Sequence, residues 1–387
     1  LFLFKGTGET AALRLTGATS TFALLQTILF LGGKSAVLQD PISLEDLPDR
    51  ADELGTAAAD ILFRRNPDLG AASDPGLRRF SILDLAHHAR YIGSACLLDD
   101  EAALRDYLKW LVVLFETKHF ETEALDRALS CLGEAAGILM SAADAARFGA
   151  WISRATALWP ELIHAPGRYA LSDAQENENV IPFVTALLDG RRDIAKSLVD
   201  SLVSEGGRIQ DLFVDLFGPA QYEIGRLWHH DRISVAQEHF ATAAAQYIIS
   251  TLYPVLFSRP PSGDKTIIAA CAQGELHELG IRMVADCFQA EGWDSAILGA
   301  NLPVSALVSE TQRREPDIVA LSATLPVNVR WIVRAVASLK ALGTRRPRII
   351  VGGMPFLVSP ELWRKVGADA WAADCIGAVA VGERLLA

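Results

Sequence analysis

Residues Lys265 to Gly280 read KTIIAACAQGELHELG, and this stretch decides the fold. Its first half, Thr266 to Cys271, is a short run of apolar and β-branched residues with polar flanks, the pattern of a buried strand. The second half breaks at Gly274 and leads through Glu275-Leu276-His277 into a segment with helical spacing, His277 to Gln289. Four more strand-like runs follow: Ala296 to Leu298, Ile318 to Ser322, Ile349 to Val351 and Ala370 to Ala373. Helical segments alternate with them, at Val304 to Arg314, Val327 to Leu342, Pro360 to Val366 and Gly377 to Leu386. Strand–helix alternation predicts a doubly wound parallel sheet over residues 264–387, covered on both faces. Ligands of such sheets bind beyond the carboxyl ends of the strands.

The residues at those ends exclude two familiar chemistries. Neither GxGxxG nor a Gly-Lys-Ser/Thr phosphate loop is present after the first strand. What stands there is His277, with the acid Glu275 two residues before it and Gly280 three after. A neutral imidazole is a good transition-metal ligand, and a carboxylate on its other nitrogen orients it and raises its basicity. After the third strand come Ser322 and Thr324, and after the fourth Gly352-Gly353, where a ligand can approach the backbone closely.

Upstream, the texture is helical. Glu45 to Arg65, Leu77 to Leu98, Glu101 to Thr117, Thr122 to Met140 and Ala142 to Trp159 carry apolar residues at three- and four-residue spacing, predicting an all-helical domain over 45–165. A loop is expected at Gly70 to Gly76, with helix N-caps at Asp99-Asp100 and Ser141. Pro166-Gly167 and the polar run Ser172 to Asn179 mark a boundary. Then Ile181 to Asp189, Arg191 to Glu205, Ile209 to Trp228 (with a break near Pro219) and Ile233 to Phe257 predict an antiparallel four-helix bundle over 173–258. Residues 1–44 stay unassigned: short strands at Leu1 to Phe4 and Ala12 to Leu15 and a helix at Thr21 to Leu31 are compatible with them. The chain opens on Leu1 without a charged-then-apolar leader, as a fragment or a processed product would.

The strand-end residues resemble the cobalamin-binding domain of corrinoid enzymes and cobalamin photoreceptors. The pattern stands here as Glu275-Leu276-His277-Glu278-Leu279-Gly280, Ser322-Ala323-Thr324 and Gly352-Gly353. The resemblance implies base-off binding, with His277 replacing the cofactor's dimethylbenzimidazole as lower cobalt ligand and the nucleotide tail running past Ser322, Thr324 and the glycine pair. In the bundle segment, Trp228 is followed by nine residues and then Glu238-His239, which resembles the signature of CarH-like cobalamin-dependent photoreceptors. That resemblance implies a bundle capping adenosylcobalamin, with Trp228 against the adenosyl group, Glu238 and His239 as polar partners, and His229 as a ligand to cobalt after photolysis. It also implies light-dependent packing and homo-oligomerisation. His230 is expected at the surface.

The first helical domain resembles the globin-like, bilin-binding module of photocobilins, through Arg65-Asn66-Pro67-Asp68-Leu69, Asp84 to Tyr91 and Arg105 to Trp110. Biliverdin is the implied second chromophore, with His88 as the candidate contact; Cys96 reads as a buried structural thiol. Composition narrows the rest. The 387 residues carry 36 Lys+Arg against 47 Asp+Glu, a net charge of −11, with no basic stripe; such a chain is a poor direct binder of nucleic acid. The apolar run Phe22 to Gly33 is too short to span a bilayer. Five scattered cysteines without CxxC suggest neither disulfides nor a zinc ribbon, so a cytoplasmic setting is the expectation. The combined expectation is a sensor rather than an enzyme, acting on a downstream effector domain or protein. Two alternatives remain open: a corrinoid shuttle protein of a methyltransferase system, and a haem sensor on the same scaffold.

Overall fold

A computed structural model describes residues 40–69, 74–164, 177–258, 264–343 and 346–387. The strands and helix expected before residue 32 and the Pro166-Gly167 linker lie outside the described residues. The chain divides into two compact units. The first takes in the described residues of Leu1–Tyr169 together with His229–Val235, and the second those of Ala170–Trp228 and Ala236–Ala387.

The described residues of the first unit are helical: α1 (Leu47–Arg65), α2 (Pro75–Leu98), α3 (Glu101–Lys118), α4 (Glu123–Leu139) and α5 (Ala142–His164). Asp74 and Asp100 each accept two backbone N–H groups of the helix that follows. Such caps are worth about 1 kcal/mol each. Helix α2 therefore starts at Pro75, inside the expected loop, because the Asp74 cap and a proline at the first turn favour a helix start. Asp99 is not an N-cap: it closes α2 in the left-handed conformation, at φ 47°. Helix α5 runs through Pro160 to His164 rather than ending at Trp159. The Trp159 indole donates to the Thr122 carbonyl at 2.9 Å and anchors that stretch on the core. At Gly55 a Cβ would lie 2.6 Å from the Ile82 carbonyl, so α1 and α2 touch backbone to backbone.

The second unit begins with α6 (Val180–Leu188), α7 (Arg192–Ser204) and α8 (Ile209–Leu212). Helix α8 continues without interruption, through a π-helical stretch Phe213–Phe217, into α9 (Gly218–His229). The expected break near Pro219 is this widened turn. Pro219 has no N–H to give the Asp215 carbonyl, and the Asn177 side chain donates to that oxygen instead, at 2.8 Å. Helix α10 follows at Val235–Leu256.

The sheet comprises β1 (Thr266–Cys271), β2 (Asp294–Gly299), β3 (Ile318–Ser322), β4 (Arg348–Gly352) and β5 (Ala370–Trp371). The order is β2-β1-β3-β4-β5, and every pairing is parallel. The connections are α11 (Leu279–Ala290), α12 (Val304–Arg314), α13 (Val329–Lys340), α14 (Met354–Val358) and α15 (Leu362–Val366), and α16 (Cys375–Leu386) closes the chain. The doubly wound expectation holds, with local differences: β2 and β4 are longer than expected, α11 starts at Leu279 and leaves His277 on the loop, β5 has two residues instead of four, and α14 is an additional helix. Central strands are buried on both faces, as parallel sheets require, with Ile267, Ala269, Phe288, Trp293, Ile318 and Ile350 in one core. Strand order reverses between β1 and β3, so the crevice at their carboxyl ends is the place where such a sheet takes a ligand. Among the described residues, no helix is long and apolar enough to cross a membrane.

Candidate functional site

The loop after β1 enters that crevice. Gly274 sits at φ +82°, and a Cβ there would lie 2.9 Å from the Asn328 side-chain oxygen. The turn places Glu275 under the loop, where its side chain is fully buried. A buried carboxylate is costly unless its lone pairs are filled. Here both oxygens are saturated. Oε1 accepts the backbone N–H of Leu276 and of His277, each at 3.0 Å, and is 2.5 Å from His277 Nδ1. Oε2 accepts the N–H of Thr324 at 2.7 Å, that of Leu325 at 3.2 Å and the Asn328 side-chain amide at 3.1 Å. Burial alone would raise this carboxyl. The hydrogen bond and charge of His277, with the backbone donors, outweigh it and hold the group at about 2. Glu275 thus ties the β1 loop to the β3 loop by a single side chain.

His277 is fixed by that bond yet remains 57% exposed, so its second nitrogen faces outward. The Glu275 hydrogen bond raises its pKa, burial opposes the rise, and the charges of Glu275 and Glu238 reinforce it. The structure therefore brings Glu238 to the His277 side of the unit. Glu238 is partly buried; it accepts from Thr242 at 3.1 Å and lies 3.4 Å from Nε2 of the exposed His239. Trp228 is partly buried near the end of α9.

The β3 and β4 loops are closed on each other. Ala323 donates to the Gly352 carbonyl at 3.2 Å, and Ser322 and Thr324 flank that bond, half-buried. At Gly353, φ is +99° and a Cβ would fall 2.1 Å from the Ala323 carbonyl, so only glycine fits. Gly280 differs: a Cβ would meet nothing within 4 Å. Its bareness leaves open space over the first turns of α11, next to His277. Cys271, at the end of β1, donates to the His277 carbonyl at 3.6 Å, and burial pushes its thiol up to about 12. It stays protonated and does not compete with His277 for a metal.

Two residues of this site escaped the sequence reading. Asn328 is buried and joins Glu275 to the floor of the Gly274 turn. Asn301, at φ +51°, accepts from the Gly274 N–H at 2.9 Å and donates its own N–H to the Glu275 carbonyl at 2.8 Å. No local pattern marks either; only the fold brings them to the loop.

His229 belongs to the first unit. Its ring stacks on Trp110, with centroids 4.9 Å apart and planes 8° from parallel, and hydrogen-bonds the Trp110 backbone. Burial lowers its pKa to about 4. His230 is half-buried instead of exposed, 6.0 Å from the His229 ring. His88 is fully buried, with Nδ1 2.6 Å from the Tyr107 hydroxyl and Nε2 3.5 Å from Asp84. The neighbouring His87 sits among Tyr91, Tyr107 and Trp110, and its Nε2 is buried without a hydrogen-bond partner. Burial lowers it to about 3, so it is neutral. Cys96 is buried.

Two family models match the chain, both described as a B12 binding domain, over residues 265–380 and 182–253. A corrinoid protein of Desulfitobacterium hafniense is 23% identical over 206 residues, which are 52% of this chain and 94% of that protein. Dimethylamine corrinoid protein 2 of Methanosarcina acetivorans is 27% identical over 34% of this chain and 63% of its own length. The HTH-type transcriptional repressor CarA of Myxococcus xanthus is 35% identical over 24% of this chain and 31% of its own length. This chain thus spans less than two thirds of the last two. Among solved structures, the monomethylamine corrinoid protein of Methanosarcina barkeri aligns with a TM-score of 0.48 at 19% identity, over 55% of this chain and 99% of that one. The chain carries a cobalamin-binding module, and the Glu275–His277 crevice lies within its sheet part.

Proposed function

We propose that the chain is a light-responsive regulatory protein that would hold adenosylcobalamin base-off, with His277 as the side chain that would ligate its cobalt. One observation carries this reading: a single imidazole, oriented by a saturated buried carboxylate, stands at the sheet's switch point with its free nitrogen outward. Among the described residues no group of three or more acidic, histidine or cysteine side chains is set to hold a metal. One imidazole suits a metal that arrives with its equatorial ligands already in a macrocycle. The residues fit the cofactor in that Gly280 leaves room beside His277, while half-buried Ser322 and Thr324 and the tightly turned Gly352-Gly353 pair stand at the neighbouring strand ends where a nucleotide tail would pass. When bound, adenosylcobalamin supplies a weak cobalt–carbon bond that visible light breaks.

In this reading Glu275 holds the His277 tautomer and orientation, while Asn328 and the Thr324 and Leu325 N–H groups hold Glu275. The helices over 173–258 form a four-helix bundle that caps the cofactor, with Trp228 as its apolar lid and Glu238 and His239 as polar partners. His229 would be the residue that ligates the cobalt once the adenosyl group has left. Loss of the lid's packing then shifts domain packing and oligomeric state, a two-state element biased by a local event. The chain is a cytoplasmic sensor without catalysis of its own, signalling to a downstream effector. The first unit, globin-like in this reading, takes biliverdin as second chromophore beside His87 and His88.

A second reading has its own support. The relatives named as corrinoid proteins include one matched over nearly its whole length, which favours a corrinoid shuttle of a methyltransferase system. The photoreceptor reading is preferred because Trp228 is followed by nine residues and then Glu238-His239, and because the charge of Glu238 reaches His277. The deciding experiment loads the purified chain with adenosylcobalamin or methylcobalamin in the dark, then illuminates it with green light. Preference for the adenosyl form, loss of its spectrum in light and a changed elution volume support the sensor. Equal preference for both forms, or photolysis without change in size, refutes it.

A further inference from the structure

We propose that the Trp110 indole is the resting seat of His229, so that α3 of the first unit governs when the histidine following Trp228 is released. The inference rests on the photoreceptor reading for its purpose, and on the geometry of the first unit for its substance. Residues 229–235 connect α9 to α10 but belong to the first unit. They are held on α3 at two points. His229 lies flat on Trp110, 8° from parallel, and hydrogen-bonds its backbone. Two residues on, Asp231 turns the chain at φ +57°, and its carboxylate meets Lys118 Nζ at 2.7 Å. Trp110 and Lys118 are eight residues apart on α3, or about 12 Å along its axis, so the strap is pinned at two separate places.

Stacking controls access. The indole covers one face of the imidazole, and His229 Nε2 is shielded from solvent. A ligand role for His229 therefore begins with leaving Trp110. The exposed Lys118–Asp231 pair contributes little energy, as surface ion pairs do. The stack is the stronger hold, since an aromatic pair of this geometry changes an equilibrium by up to about tenfold beyond simple burial. Trp110 is thus a positioning residue: it acts on the switch through His229.

The test uses the full chain without cofactor, modified by diethyl pyrocarbonate and read by mass spectrometry at each histidine. In the wild type, His229 should react much more slowly than the exposed His239. Trp110→Ala should speed His229 modification by roughly tenfold, with His239 unchanged. Trp110→Phe should keep most of the protection, because a phenyl ring still stacks and the backbone hydrogen bond does not need the indole. Lys118→Ala should give a smaller increase. Equal reactivity of His229 and His239 in the wild type, or no response to Trp110→Ala, overturns the proposal. The same variants are then loaded with adenosylcobalamin and illuminated. Trp110→Ala should accelerate any spectral step that His229→Ala abolishes. If His229→Ala leaves the illuminated spectrum unchanged while Trp110 still controls protection, the seat stands and the light-switch reading fails.

Discussion

Replacing Glu275 by Gln tests the site at its structural centre. The substitution keeps the shape and removes the charge. Its amide offers one acceptor and two N–H donors, so one of the two donor sets, either Leu276 and His277 or Thr324, Leu325 and Asn328, would face another donor. The native carboxyl titrates at about 2 instead of 4.5, a difference worth about 3 kcal/mol of folding stability at neutral pH. Because the folded-state value is the lower one, that stability is complete above about pH 4.5, declines as pH falls, and is gone below about 2. Urea unfolding of the cofactor-free chain should show Glu275→Gln less stable by about 3 kcal/mol at pH 7, with the gap reduced to roughly half at pH 3. His277 works in the opposite sense. Its raised pKa adds stability that is present below 6.5 and lost as pH rises through its folded value, so the comparison is repeated in a His277→Ala background. A gap below about 1 kcal/mol at pH 7, or one that does not change between pH 7 and 3, would refute the view that this carboxylate is held charged by its donors.

Gly353→Ala forces a side chain into a left-handed position against the Ala323 carbonyl and should cost about 2–4 kcal/mol in thermal or urea unfolding. Gly280→Ala meets no protein atom and should leave stability unchanged or raise it by up to about 1 kcal/mol, yet weaken cobalamin uptake in a titration; unaffected uptake would mean the space beside His277 is not the cofactor's. Asp286 on α11 is buried, and that burial raises its carboxyl to about 6 against the Tyr253 bond and Arg282. Its folded-state value is the higher one, so stability is lost as pH rises from about 4 to 6. Asp286→Asn should therefore stabilise the chain at pH 7 by about 2–3 kcal/mol and have no effect near pH 3.5; a destabilised variant at pH 7 would contradict this.

Much of the sheet unit was legible because its signals are local. The buried runs at Thr266 to Cys271 and Ile318 to Ser322 match their strands end for end, since a strand buried on both faces announces itself as an apolar run. Glu275 and His277 are two residues apart, and their bond follows from that spacing and a turn at Gly274. What was hidden depends on distant parts of the chain. Asn328 reaches Glu275 across 53 residues, and its type is common in any helix start. The α14 helix and the two-residue β5 are too short to carry a period. In the first unit, the choice between His87 and His88 turns on side-chain direction around one helix. Both histidines keep a buried Nε2 without a hydrogen-bond partner, but the His88 Nδ1 is engaged by Tyr107 whereas the His87 ring lies among aromatic rings. Nor could spacing foretell that residues 229–235 would join helices more than a hundred residues earlier.

The widened turn at Phe213–Phe217 has a consequence for the phase of everything after it. A π turn holds one residue more than an α turn, and that extra residue rotates the following helix by about 100° about its axis. Helix α9 buries Ala220, Glu223 and Ile224 because of this offset, and the same offset fixes the azimuth of Trp228 near its far end. Deleting one residue within 213–217 would heal the hydrogen-bond ladder and leave Trp228 on the same side, whereas healing it at constant length would swing Trp228 by about 100°. The widened turn itself therefore sets the direction of the tryptophan, and it is held open by a proline four residues beyond the carbonyl that Asn177 occupies.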